Sequence, residues 1–113
     1  MVGTNDDRLL AHGDTFHVGN GSIVRMFEYA SGQTSYKIGK PHKAILLEAL
    51  DYYHLKKEDC IIVGDNLETD IALGVNEDVE TVFVTTGVHQ IEDIERLQIH
   101  PTTIVSRLDE LNK

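Results

Sequence analysis

The sequence predicts an α/β fold with a mostly parallel sheet and flanking helices, and three observations carry that prediction. Short β-branched or apolar runs alternate with helix-periodic segments from end to end, the pattern of βαβ crossovers. The run Cys60-Ile61-Ile62-Val63 is continuous rather than alternating, as expected of a strand covered on both faces of a parallel sheet. Glycines or polar residues follow the strands directly, where open α/β sheets place their ligands.

Each element has its own warrant. Met1-Val2-Gly3 reads as an opening strand, and the rest of residues 1–20 reads as loop, with Asn20 or Ser22 capping the helix that follows. Ile23, Met26, Phe27 and Ala30 fall at i, i+3, i+4 and i+7, which predicts a helix over 22–30, ended by Gly32. Tyr36-Lys37-Ile38 reads as a strand broken by Gly39-Lys40-Pro41, and Ala44, Leu47, Leu50 and Tyr53 mark the next helix. After the 60–63 strand, Gly64-Asp65-Asn66 turns the chain into a short helix over about 69–75. Thr81-Val82-Phe83-Val84-Thr85 is a second buried strand, closed by Thr86-Gly87. Ile91, Ile94 and Leu97 give a helix, Thr103-Ile104-Val105 a last strand, and Leu108 with Leu111 a terminal turn.

Composition limits what such a fold does. The 113 residues suit one domain spanning 1–113, and 41% hydrophobic with 26% charged residues is ordinary for a globular chain. The 10 Lys and Arg against 19 Asp and Glu give a net charge of −9 with no basic cluster, which argues against nucleic acid as a partner. It suits a divalent cation. The longest apolar runs are strand-sized, so no membrane span is expected, and no charged-then-apolar leader opens the chain. Cys60 is the one cysteine, which fits a reducing, cytoplasmic setting.

Four polar sets follow strands and are expected on one edge: Thr4 with Asn5, Lys40, Asp65 with Asn66, and Thr86 with Gly87. Asp65 and Asp70 form a carboxylate pair that could hold Mg²⁺, a hard cation that takes one or two carboxylates plus waters and phosphate oxygens. Asp and Asn are also common turn residues, and Asp70 equally suits a helix N-terminus. Lys40, framed by Gly39 and Pro41, could neutralise a phosphoryl group as a compact point charge, or be a solvated lysine before a helix. The six histidines show no zinc spacing and are assigned mostly to surface or loops.

Gly39-Lys40-Pro41 and Val63-Gly64-Asp65-Asn66-Leu67-Glu68-Thr69-Asp70-Ile71 resemble the last two motifs of the haloacid dehalogenase (HAD) superfamily. Val2-Gly3-Thr4-Asn5 with Asp7, Gly19-Asn20-Gly21, Glu80-Thr81 and Thr86-Gly87-Val88 are similar to its NagD and p-nitrophenyl phosphatase-like branch. That resemblance implies a Mg²⁺-dependent phosphatase acting on a small phosphorylated metabolite. By position, Lys40 is implied as the phosphate-stabilising lysine and Asp65 with Asp70 as the metal carboxylates, with Asn66 beside them. Thr4, Asn5 and Asp7 are implied to face the substrate, within a segment 1–20 that returns from the inserted cap.

The resemblance also defines what this sequence lacks. The family's nucleophile lies in an Asp-x-Asp motif, and no Asp-x-Asp occurs here; the nearest pair, Asp6-Asp7, is adjacent. The implied fold is therefore a partial HAD-like core, without the nucleophile strand and nearly all of the cap. Alone it is expected to be inactive, since a lysine and a metal stabilise charge but supply no attacking group. Strands beside the missing one are expected to expose edges that self-association or pairing with an N-terminal part would cover. The alternative is a non-catalytic phosphate- or metal-binding or assembly module of the same fold. A lesser departure is Asp78, where many relatives have Gly; Asp tolerates the left-handed conformation there.

Overall fold

The computed structural model describes residues 1–112. Its strands are β1 (Val2–Gly3), β2 (Leu9–His12), β3 (Thr15–Val18), β4 (Tyr36–Lys37), β5 (Ile61–Gly64), β6 (Glu80–Val84) and β7 (Thr103–Val105). The helices are α1 (Asn20–Ser31), α2 (Ala44–Tyr53), α3 (Ala72–Glu77) and α4 (Glu92–Leu97). A π-helical turn, Leu67–Ile71, runs directly into α3, so the short helix predicted over 69–75 begins earlier and more widely wound.

The α/β class and the parallel pairing hold, but the strands form three separate sheets. β5, β6 and β7 run parallel in that order, with Ile61 opposite Glu80 and Val82 opposite Thr103. β1 pairs parallel with β4, Val2 opposite Tyr36, around α1. β2 and β3 make an antiparallel hairpin inside the segment read as loop. The sequence does carry its signal: Gly13-Asp14 between two four-residue runs is a two-residue hairpin turn, and Gly13 takes the positive φ of 59° that such a turn requires at its first position.

The core lies under β6. Phe83, Leu67, Ile71 and Ile94 pack together, with Leu97 and Ile99 against them, while Val82, Val84 and Val105 form a second cluster. Residues Thr81 to Val84 are all buried, as a doubly covered strand requires. The same expectation fails for β5, where Ile61 and Val63 are exposed: β5 is an edge strand, and among the described residues no element covers that face.

The predicted helix α1 forms, and its apolar stripe is also uncovered. Ile23, Met26 and Phe27 are exposed, and Val24 is the side chain it buries. Gly32 ends α1 at φ 69°, its N–H donating to Glu28 O, and Asp78 ends α3 in the left-handed region at φ 56°. Neither Asn20 nor Ser22 caps α1: the cap position is Gly19, Asn20 Nδ2 donates to Thr4 Oγ1, and Ser22 Oγ donates to Arg8 O. Gly19 and Gly21 are there because the backbone of Asp6 to Arg8 passes where a Cβ would stand. The radius of gyration, 15.0 Å, exceeds the roughly 13 Å of a compact chain this long.

Candidate active site

The loops after β1, β4, β5 and β6 converge on a cleft lined by Asp7, Lys40, Asp65, Asn66, Asp70 and Val88, with Leu9 to Ala11 of the hairpin as one wall. Two features fix Lys40. Gly39 passes against the backbone of Thr4 and Asn5, where a Cβ would collide, and the N–H of Asp6 donates to Lys40 O at 3.2 Å. The lysine Nζ then donates to Asp70 Oδ1. Burial works against its charge, but Asp70, then Asp7 and Asp65, outweigh that and raise its pKa above the ordinary lysine value. Lys40 therefore remains a cation.

The carboxylates are held just as specifically. Asp65 Oδ2 accepts the Val88 N–H at 3.0 Å, and Gly87 is glycine because a Cβ there would overlap the Asp65 carboxylate. Gly64 makes the same room for Asp70, whose Oδ2 accepts the Asn66 N–H at 3.3 Å. Asn66 Oδ1 accepts from Glu68 N–H at 3.0 Å, starting the π-helical turn that presents the buried Asp70. The spacing of five between Asp65 and Asp70 is thus spanned by one wide turn that aims both into the same cleft.

Lys40, Asp65, Asn66 and Asp70, each placed after a strand, are brought together. Asp7 joins them. Thr4 and Asn5 do not line this cleft: Thr4 Oγ1 holds Asn20, and Asn5 Oδ1 accepts the Asp7 N–H at 3.1 Å, which shapes the loop that delivers Asp7. The sequence marks the hairpin wall only by its short turn, and Val88 stands in a matched motif without a role there, because it acts through a backbone N–H that leaves no side-chain signal.

The electrostatics define what the cleft accepts. Three carboxylates, Asp7, Asp65 and Asp70, face one ammonium, so a phosphate dianion would meet net repulsion. A hard divalent cation, were one held there, would cancel that net charge, and carboxylate oxygens are donors that Mg²⁺ prefers. Among the described residues no three His, Cys, Asp or Glu side chains are grouped so that they could hold a metal ion.

Known proteins resemble this chain along nearly its whole length. Residues 37–111 match the family model described as Hydrolase_like, HAD-hydrolase-like. The chain is 36% identical to an acid sugar phosphatase of Staphylococcus saprophyticus over 100% of its own length and 44% of that protein's. It is 33% identical to the ribonucleotide monophosphatase NagD of Escherichia coli, covering 99% of this chain and 44% of NagD. Among solved structures, a p-nitrophenyl phosphatase from Archaeoglobus fulgidus superposes with a TM-score of 0.81 at 33% identity, over 97% of this chain and 44% of that one. A 4-nitrophenylphosphatase from Thermotoga maritima superposes with a TM-score of 0.84 at 30% identity, over 97% and 42%. The chain spans less than half the length of these relatives.

Proposed function

The chain belongs to the HAD-hydrolase-like family, and from that premise we propose that it is the C-terminal part of a Mg²⁺-dependent phosphatase acting on small phosphate monoesters. The observation that carries the proposal is the convergence in one cleft of Lys40, from the loop after β4, with Asp65 and Asp70, from the segment after β5. Asp65 and Asp70 would hold the cation, which when bound neutralises phosphate charge. Lys40 places a fixed positive charge where charge builds on the transferring phosphoryl group. Asp70 keeps the lysine aimed until substrate competes for it. Asn66 holds the turn and stands next to the metal side, with Thr4 and Asn5 shaping the loop at the substrate side.

The attacking group, in this reading, arrives with an N-terminal portion corresponding to the share of the relatives this chain does not span. That portion would also cover the β5 edge and the exposed stripe of α1. The setting proposed is cytoplasmic; among the described residues no helix is long and apolar enough to cross a membrane. The test is hydrolysis of an aryl phosphate with Mg²⁺. The 113-residue chain alone is expected to show no turnover, and supplying the N-terminal portion of a relative, fused or separate, is expected to restore it. In the restored enzyme Asp65→Asn or Lys40→Ala should lower kcat by about 100-fold or more. Turnover by the isolated chain that disappears in Asp65→Asn would place the nucleophile within these 113 residues and overturn the proposal. Phosphate or Mg²⁺ binding without restored turnover would favour the non-catalytic module.

A further inference from the structure

The sequence assigns the histidines mostly to surface or loop positions; His89 does lie in the loop after β6, but it is buried there, 6% exposed, behind the turn that carries the cleft carboxylates. We propose that His89 is a positioning residue, whose bare Nδ1 fixes the Asp65–Asp70 turn by accepting the Leu67 N–H at 3.0 Å. Leu67 opens the π-helical turn, and the first N–H groups of a helical turn have no partner within it. Its side chain is fully buried, which leaves water no ready access to that N–H. The ring supplies the acceptor.

A backbone N–H can only donate, so the geometry also sets the tautomer. Nδ1 carries no proton, the ring proton sits on Nε2, and Nε2 faces Glu68 Oε1 at 3.7 Å. The same short segment grips Asp65 twice more: the His89 N–H donates to Asp65 O at 3.3 Å and the Val88 N–H to Asp65 Oδ2 at 3.0 Å. The loop after β6 therefore holds the loop after β5 at three points, two on Asp65 and one on Leu67. Asn66 lies between those points, and its N–H donates to Asp70 Oδ2, so the position of both carboxylates follows from the grip. This role stands whatever the carboxylates bind.

The test uses the 113-residue chain. Nitrogen NMR of the imidazole should show the Nε2–H tautomer, and amide exchange should report Leu67. His89→Leu, which fills space but accepts nothing, should speed Leu67 exchange by about tenfold or more. His89→Asn, whose Oδ1 can take the place of Nδ1, should return it to within about threefold of the parent. Protection of Val82 and Phe83 in β6 shows whether each variant remains folded, and the tautomer is read on the parent protein. An Nδ1-protonated ring, unchanged Leu67 exchange in His89→Leu, or equal loss in the Leu and Asn variants would each overturn the proposal. Neither readout depends on metal or turnover, so the phosphatase reading can fail while this one stands, and the reverse.

Discussion

The segment before residue 61 and the segment after it are built on different physics. Of the eleven buried hydrophobic residues among those described, nine follow Cys60, and Val24 and Leu50 are the two that precede it. The later segment is held by apolar packing around Phe83. The earlier one exposes the apolar sides of its helices and is tied together by charged groups: Lys37 bridges Asp6 at 3.4 Å and Glu28 at 3.9 Å, and Asp6 pairs with His42 at 2.9 Å. Burial opposes the charge of Asp6, but His42 and Lys37 outweigh it and lower its pKa. The difference teaches that one part of a core can gather most of the buried apolar surface while its neighbour leaves its apolar stripe exposed.

The comparison breaks first at Phe83. Its side chain is 0% exposed, so Phe83→Ala should cost about 3–5 kcal/mol in urea unfolding. Tyr29, at 94% exposed on α1, should cost no more than about 0.5 kcal/mol when replaced by alanine. Equal effects at the two positions would show that the halves are not distinct. Native-state exchange sharpens the same point, with protection expected in β6 and little in β1, β4 and the hairpin.

A smaller effect is expected at the cleft. Gly87→Ala places a methyl group on the Asp65 carboxylate, an overpacking conflict of about 1–3 kcal/mol, and should release the Val88 N–H. Loss of Val88 protection with β6 intact is the expected signature. Retained protection would mean that the cleft yields elsewhere. Lys40→Ala should change stability by less than about 1 kcal/mol, because its side chain is more than a third exposed and solvent screens the pair with Asp70.

How much of this was legible in the sequence follows the same division. Strands β5, β6 and β7 are readable because continuous β-branched runs favour strand, although the run reports burial only in β6, and the Asp65–Asp70 pair is readable because it follows such a run. The helices α1 and α2 were readable from periodicity, but their facing was not, since an apolar stripe says that something covers it and not that this chain does. The hairpin has a short turn signal in Gly13-Asp14, but the run before it, Leu9–His12, lacks the apolar alternation that marks a half-buried strand. His89 had none, because burial of a single polar residue depends on contacts 22 residues away.

The smallest effect tests the charged half directly. Glu28 accepts hydrogen bonds from the Ser35 hydroxyl at 2.6 Å and the Ser35 N–H at 2.9 Å, with Lys37 and Arg25 near, and its pKa falls from the ordinary 4.5 to about 2. A carboxylate with a depressed folded pKa contributes its stability in full above the unfolded value and loses it as pH falls through the folded one. The contribution of Glu28 should therefore be complete above about pH 4.5 and fade toward pH 2. Glu28→Gln keeps the shape without the charge, so its melting temperature should lie below that of the parent at pH 6 and approach it near pH 2. Since the clamp joins α1 to β4, the difference should also shrink with added salt, whereas the Phe83→Ala penalty should not. Parallel pH profiles for the parent and Glu28→Gln would remove charge as the tie in this half, leaving Val24 and the backbone pairing of β1 with β4 to hold it.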